Sequence, residues 1–411
     1  MTIHQKYIQR CLELARLGAG YVAPNPMVGA VLVYEGRIIG EGWHQQYGKA
    51  HAEVNCIASV KEEDRNLISQ SILYVSLEPC AHHGKTPPCA DLIIQHKIPR
   101  VVIGCRDPFK EVDARLNDAV GQGKGIEKLK AAEVEVEVGI LEKECKELNK
   151  RFFTFHTLHR PYVILKWAQT ADGKMAASPS PSAGGVLASG TSNSYIEFEN
   201  SQNPPSEGRE ARLLISNEYS NRLVHKWRSE EASILVGTNT AMLDDPELTT
   251  RLWSGSSPVR LVVDMNLRLP SSLKIFNQPV RTIIFNTKVH SKESESVTPS
   301  PFMEQPNKAK VGNVVRGVRY YQVTNDVSLV HQIMNALYQL KIQSVLVEGG
   351  AKLLRSFIED GLWDEIRIIH NYSLNAGDGL DAPKPENAIL VGSGELFSDT
   401  IETYVPATED Y

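Results

Sequence analysis

Four residues constrain this chain more than any others: His51 and Glu53, separated by one residue, and Cys80 and Cys89, which arrive much later in the sequence. For them to act together, the fold has to bring two distant segments to one point. Each segment follows a strand-like apolar run and sits where a helix is expected to begin, and a helix start stabilises the thiolate that a soft metal binds. One histidine and two thiolates are the three protein ligands of a catalytic zinc site, whose fourth position is kept for a water acidified toward neutrality. Glu53 stands two positions from the first ligand. That spacing aims a carboxylate at the water without coordinating the metal, so Glu53 is the expected proton shuttle.

Two plainer readings use the same residues. A buried histidine, a surface acid and two reduced core thiols would need no metal, since free cysteines are commonly buried. A structural zinc would need a fourth protein ligand, for which His82, His83 or Cys56 would serve. The order H-A-E then P-C favours the catalytic reading. H-x-E followed by P-C-x-x-C is the signature of zinc nucleobase deaminases, and the departure here is a second cysteine displaced to C-x8-C.

The segment resembles a known family. Pro24-Asn25-Pro26-Met27-Val28-Gly29, Gly42-Trp43-His44, His51-Ala52-Glu53, the run from Leu77-Glu78-Pro79-Cys80 through His82-His83-Gly84-Lys85-Thr86-Pro87-Pro88-Cys89, and Arg106-Asp107-Pro108 are together similar to the deaminase half of the bifunctional riboflavin-biosynthesis deaminase/reductases. The H-H-G-K-T-P-P loop is a hallmark of that family and accounts for the wide cysteine spacing. The resemblance implies a substrate: a diaminopyrimidinone bearing a phosphoribosylamino group, whose ring amine is replaced hydrolytically by a carbonyl. Asn25, His44, His82, Lys85, Thr86 and Asp107 are the candidates for holding it, because the ring edge needs amide-type partners and the phosphate needs cations or donors.

Composition agrees with an enzyme of that kind. The 411 residues suggest two to three domains, and 42% apolar residues suffice for sizeable cores. A net charge of −5 leaves no basic stripe for a nucleic-acid backbone, which counts against an RNA-binding or RNA-editing module built on the same zinc core. No run approaches the roughly 18 consecutive apolar residues of a membrane helix, and the N-terminal M-T-I-H-Q-K-Y lacks an apolar signal core. The cytoplasm is the expected location. Six scattered cysteines are too few for a disulfide framework.

Along the chain, apolar positions from Tyr7 to Leu17 recur at helical spacing and stop at Gly18, as for a C-terminal glycine cap. Val28–Tyr34 and Ile38–Gly42 read as a hairpin around Glu35-Gly36-Arg37. A helix from about His51, a strand 72–76, a helix 89–95, a strand 101–104 and an alternating strand at Val134, Val136 and Val138 complete a three-layer α/β unit. The expected organisation is a deaminase domain over 1–150, a linker at 151–160 and a second domain over 161–411. In that second half Val345-Leu346-Val347-Glu348-Gly349-Gly350-Ala351 delivers a glycine pair from a strand to a helix start, where main-chain amides can cradle a phosphate. Glycine pairs are also ordinary turns, and the usual G-x-G-x-x-G fingerprint is absent.

Here too the resemblance continues. The order L-K-x-A-x-T-x-D-G, I-S, H-K-x-R, V-G-x-x-T, D-D-P-x-L, a strand ending in Asp, and V-E-G-G is similar to the reductase half of the same family. The implied fold is therefore α/β throughout: a cytidine-deaminase-like α/β/α domain followed by a dihydrofolate-reductase-like α/β domain. The implied cofactors are Zn2+ and NADPH, and the implied assembly is a homo-oligomer, a dimer or larger. Carried over by motif, Ala168, Thr240, Asp244 and Gly350-Ala351-Lys352-Leu353-Leu354-Arg355-Ser356 are expected to contact the cofactor, and Arg228, Leu248, Arg251 and Glu348 the substrate. A guanidinium fork suits the substrate's phosphate; the plain alternative for either arginine is a surface ion pair. Lys166 and Asp244 are the candidates for an otherwise unassigned proton donor. The chain departs from the family over about 176–212, a Ser/Pro/Gly-rich insertion, where Arg212 and Leu214 replace a serine and a tryptophan expected to touch substrate and cofactor. An inactive reductase domain is the alternative this departure raises. A second polar stretch, about 289–311, and the residues from Asp113 to Gly125 around a glycine cluster carry no assigned role.

Overall fold

Short apolar strands with alternating burial build the first half of the molecule. The computed structural model describes residues 1–411 except 82–86, 109, 114–117, 122–123, 178–213, 278, 289–301, 304–316 and 408–411. Helix α1 (Ile3–Arg16) leads into β1 (Gly29–Tyr34) and β2 (Arg37–Trp43), followed by α2 (Ala52–Ala58), β3 (Ile72–Leu77), α3 (Cys89–Gln95) and β4 (Arg100–Cys105). A separate hairpin, β5 (Lys110–Asp113) and β6 (Asp118–Gly121), precedes α4 (Lys124–Ala131), β7 (Glu135–Val138) and α5 (Glu142–Leu148). The five-stranded sheet has the order β2-β1-β3-β4-β7, with β1 antiparallel to both its neighbours and the last three strands parallel. Side chains alternate across a strand. Ala30, Leu32, Leu73, Val75, Val101 and Ile103 therefore pack on α2, α3 and α4, while Val31, Val33, Tyr74 and Val102 pack on α1 and α5. This is the expected three-layer unit.

The start of α1 is fixed by a reciprocal cap: the Thr2 hydroxyl accepts from the Gln5 amide and the Gln5 side chain accepts from the Thr2 amide. Its end corrects the sequence reading. The helix stops at Arg16, Leu17 is 57% exposed, and Gly18 is not among the residues with positive φ. Gly18 is small for another reason: a Cβ there would lie 2.6 Å from the His44 carbonyl oxygen. Closer still, a Cβ on Gly29 would sit 2.0 Å from the Cys11 carbonyl oxygen, so α1 lies on β1 only because position 29 has no side chain.

The second half is a ten-stranded sheet. Helix α6 (Lys150–Leu158) enters it, followed by β8 (Tyr162–Thr170), β9 (Lys174–Ala177), α7 (Glu218–Glu230), β10 (Ser233–Gly237), α8 (Thr238–Asp244), β11 (Val259–Val263), β12 (Thr282–Asn286), β13 (Phe302–Met303) and β14 (Val318–Gln322). Then come α9 (Leu329–Gln339), β15 (Ser344–Val347), α10 (Ala351–Glu359), β16 (Glu365–Asn371), β17 (Gly379–Asp381), β18 (Ala388–Leu396) and β19 (Asp399–Pro406). Seven strands run parallel in the order β14-β12-β11-β10-β15-β8-β16, with antiparallel β13 at one margin and β19 and β18 at the other, while β9 and β17 pair separately. The chain leaving β10 turns toward β11, whereas the chain leaving β15 turns the opposite way toward β16. In an open parallel sheet such a reversal leaves a crevice outside the carboxyl ends of the two strands, where ligands bind.

Charged pairs join the halves. Residues 151–160, read from the sequence as a linker, are helical as far as Leu158 within α6. Arg151 forms a bidentate pair with the buried Glu231, and Lys150 Nζ lies 2.9 Å from the buried Glu365, which also accepts from Arg367. Phe155 packs on Tyr338 with ring centroids 4.8 Å apart. The insertion at 176–212 lies outside the described residues apart from its first two positions, as do the stretch about 289–311 for the most part and residue 212.

Two measurements check this architecture. Gly29→Ala is expected to cost about 1–3 kcal/mol through overpacking, seen as a lower urea midpoint. Burial alone would raise Glu365, but Arg367 and Lys150 overcome it and hold the carboxyl down at about 2, from 4.5. Its folded-state pKa is depressed, so its contribution to stability is complete above about pH 4.5 and is lost as pH falls toward 2. Glu365→Gln is expected to flatten the pH dependence of the unfolding midpoint across that window.

Candidate active sites at the two strand ends

His51 is the N-cap residue of α2, Glu53 lies in that helix's first turn, Cys80 follows β3 and Cys89 opens α3. The strand–helix alternation thus brings the four together. His51 Nδ1 lies 3.6 Å from Cys80 Sγ and 3.3 Å from Cys89 Sγ, and the three ligand atoms are all within 4.8 Å of one another. The Cys89 main-chain N–H donates to Cys80 Sγ at 3.3 Å. A hydrogen bond from the Cys89 thiol, with His51 helping against burial, pulls Cys80 down to about 4; the same shared bond, then burial, pushes Cys89 up. Cys80 thus favours the thiolate, the form a soft metal binds. This donor set fits zinc. Among the described residues the cluster comprises three groups, the number of protein ligands that a catalytic zinc keeps. Cys56, the alternative fourth ligand, is fully buried against β1 with its thiol pushed well up by burial. His82 and His83 lie outside the described residues.

Glu53 is 3% exposed, and burial, then the Cys80 charge, raise its carboxyl. His44, also buried, has both ring nitrogens engaged: Nδ1 with the Ala50 carbonyl oxygen at 3.0 Å and Nε2 with Asn25 Nδ2 at 3.1 Å. A carbonyl accepts only, so Nδ1 carries the proton and Nε2 accepts from the Asn25 amide. Burial lowers the His44 pKa, which keeps that tautomer neutral. His44 lies edge-on to His51 with ring centroids 5.5 Å apart, and Asn25 is tied to His44; Lys85, His82 and Thr86 lie outside the described residues. The Asp107 main-chain N–H donates to the Glu78 carboxylate, which also accepts from Ile126 N–H.

Sequence reading missed the residues that hold this site. Glu78 ties the Cys80 loop to two other segments, and Gly125 must be glycine because a Cβ there would lie 1.9 Å from the Pro79 carbonyl oxygen. Asn149 grips Met27 with two 2.8 Å bonds, one from the Met27 N–H and one to its carbonyl. No sequence signal marks Asn149, because its partner is 122 residues away.

The second site lies at the β10/β15 crevice. The Glu348 N–H donates to Leu235 O at 3.0 Å, setting Glu348-Gly349-Gly350 beside Gly237-Thr238. Gly349 packs on Thr240, where a Cβ would meet Cγ2 at 2.8 Å, and Gly350 has φ +78 as the N-cap of α10. The two glycines leave the first turn of α10 open to an anion. At the same end of the sheet Asp264 Oδ1 is buried with no hydrogen-bond partner. A glycine pair that puts no side chain over a helix start, and a buried free acceptor at the same end of the sheet, fit a nucleotide cofactor. Of the run expected to touch it, Leu353 and Leu354 turn into the core and offer main chain only, Arg355 bonds to Asp381 O and Ser356 to Lys352 O. Ala168 is half-buried on β8 and Asp244 ends α8.

Arg228 and Glu348 are brought together as a bidentate pair at 2.7 and 2.8 Å, with side chains only 12% and 7% exposed, so this arginine is no surface ion pair. Burial lowers the neighbouring Lys166, against the Glu348 charge. For Glu348 burial works upward, but Arg228 and Lys166 hold it below its usual range. Leu248 is buried with φ 55, and Asp245 has φ 38. Two non-glycine residues in the left-handed region within one loop mark local strain of the kind that collects at functional sites. Arg251 is more than half exposed, 3.7 Å from Glu247.

Comparison with known proteins agrees with both halves. Residues 1–105 match the cytidine and deoxycytidylate deaminase zinc-binding region, and residues 161–371 match the RibD C-terminal domain. The riboflavin biosynthesis protein RibD of Aquifex aeolicus is 36% identical over 89% of this chain and 86% of its own length, and that of Chlamydia pneumoniae 32% over 98% and 90%. A diaminohydroxyphosphoribosylaminopyrimidine deaminase/5-amino-6-(5-phosphoribosylamino)uracil reductase from Thermotoga maritima superposes with a TM-score of 0.74 at 32% identity, covering 98% of this chain and 99% of that one. RibD from Acinetobacter baumannii gives a TM-score of 0.75 at 26% identity, covering 99% of each chain. With a deaminase-like α/β/α half that fits zinc and a reductase half that fits NADPH, this chain belongs to the RibD family of riboflavin biosynthesis, enzymes that hydrolytically deaminate a phosphoribosylamino-diaminopyrimidinone and then reduce its ribosyl group to ribityl.

Proposed function

We propose that His51, Cys80 and Cys89 hold the zinc of the deamination step and that Glu53 carries its proton. The observation that supports this reading is the convergence of Nδ1 and two Sγ atoms within 4.8 Å, beside a buried carboxylate one turn into α2. Zinc, when bound, supplies a water acidified to near-neutral pH. Glu53 would carry one water proton to the ring nitrogen and, as the attacking oxygen becomes the carbonyl, the second to the departing amine, and its raised pKa suits a group that must both accept and give a proton. Asn25 orients the ring: with its amide N–H given to His44, its carbonyl oxygen is left for the substrate's amine. His44 keeps Asn25 in that sense, and Lys85 and Asp107 are the further substrate contacts.

In the reductase, the reading assigns the nucleotide to Ala168, Thr240, Asp244 and the start of α10, and the phosphorylated substrate to Arg228, Leu248, Arg251 and Glu348. NADPH supplies the hydride. Glu348 fixes the Arg228 fork, and buried Lys166 stands beside the pair as a proton donor candidate. We divide the chain into a deaminase domain at 1–150 and a reductase domain at 161–411 joined by 151–160. Self-association is favoured by edge strand β18, where Ile389, Leu390 and Val391 are 45%, 49% and 56% exposed and Phe397 beyond it is 72% exposed. No helix among the described residues is long and apolar enough to cross a membrane; the cytoplasm is our reading.

Glu53→Gln is expected to reduce ammonia release by about 10²–10⁴-fold while zinc content stays at one per chain; unchanged turnover would remove Glu53 from the mechanism. Gly349→Ala is expected to weaken NADPH binding on the order of tenfold, the scale of one or two hydrogen bonds, in a fluorescence titration, with ammonia release unaltered.

A further inference from the structure

Gln343 belongs to the reductase half, immediately before β15, yet its side-chain Nε2 donates to the carbonyl oxygen of Pro24 at 2.7 Å. Pro24 precedes Asn25. The bond therefore enters the loop that presents the deaminase's ring-binding amide from a residue 319 positions away. Gln343 is itself fixed: it is 6% exposed, and its main-chain carbonyl accepts from Tyr162 N–H at the start of β8.

The loop is held on both sides of Asn25. On the far side Asn149 brackets Met27, and within the loop Asn25 N–H donates to Val22 O at 2.9 Å. From Asn25 the contacts run to His44 Nε2, from His44 Nδ1 to the Ala50 carbonyl, and so to the residue before the ligand His51. The clamp nearest Asn25 on its N-terminal side is supplied by the other catalytic half.

We propose that Gln343 is a positioning residue of the deaminase: by holding the Pro24 carbonyl it fixes Asn25 against the pyrimidine ring. The proposal rests on the reading of Asn25 as a ring contact. It also makes β15 a shared element. Its amino end steadies one site and its carboxyl end, five residues or roughly 16 Å on, carries Glu348 and the glycine pair of the other.

The test uses the full-length zinc enzyme with the phosphoribosylamino-diaminopyrimidinone, comparing Gln343→Ala, Gln343→Glu and Asn25→Ala. Glutamate keeps the shape of glutamine but as a carboxylate cannot donate. Both Gln343 variants are expected to raise the deaminase KM about 3- to 10-fold, the scale of one lost hydrogen bond, with kcat within about twofold. Zinc content and NADPH-dependent reduction of deaminated substrate supplied directly are expected to stay unchanged, while Gln343→Glu, whose buried carboxylate faces the Pro24 carbonyl oxygen, is expected to lower the melting temperature. Because both residues act through one loop, adding Gln343→Ala to Asn25→Ala is expected to raise KM no further. An unchanged KM in the Gln343 variants while Asn25→Ala raises it overturns the proposal alone. An unchanged KM in Asn25→Ala overturns the reading beneath it. Equal losses in both activities together with a lowered melting temperature would show a merely structural role and also overturn it.

Discussion

The pairing of β15 between β10 and β8 is the constraint on which the rest of the molecule depends. Four residues, Ser344–Val347, form an interior strand of a seven-strand parallel array, all of them buried. Because the chain turns one way after β10 and the other way after β15, their carboxyl ends open a crevice, and Glu348-Gly349-Gly350 is delivered there. The opposite end of the same strand abuts the deaminase loop through Gln343. A strand is stiff at this length, so one element fixes Gln343 at one end and Glu348 at the other.

Buried charge in the second half and at the junction is paired rather than left to neutralise. Arg228–Glu348, Arg151–Glu231 and the Lys150–Glu365–Arg367 cluster each place a carboxylate within hydrogen-bonding distance of a cation. Replacing one partner would leave the other uncompensated in a low-dielectric interior, which is far costlier than the pair is stabilising. These pairs therefore serve geometry more than stability. Two of them span the junction of the halves, and one aligns the guanidinium assigned to substrate. At the candidate zinc ligands the Cys89 N–H donates to Cys80 Sγ, and the neighbouring Cys89 thiol lowers Cys80, which favours the thiolate.

Much of this was legible from local pattern. Alternating apolar runs gave β1, β3 and β4 within a residue or two, and H-A-E with P-C identified a metal centre whose atoms do converge. These signals are readable because each depends on neighbours in sequence: strand period, helix start, ligand chemistry. Gly18 shows the limit of such reading. As a local signal it looked like a helix cap, but contact with the His44 carbonyl, 26 residues on, is what excludes a side chain. Leu353 and Leu354 were grouped with cofactor contacts by position in a motif, yet the helical period turns their side chains into the core.

The sequence by itself determined the chemistry: which residues can bind zinc, carry a proton and cradle a phosphate, and which segments become strands or helices. The tertiary structure alone decided who holds those residues in place. Asn149 on Met27, Glu78 under the Cys80 loop, Glu348 on Arg228 and Gln343 on Pro24 join positions 29 to 319 residues apart. No local periodicity or spacing encodes such pairs, because a single hydrogen bond constrains its two partners and nothing between them.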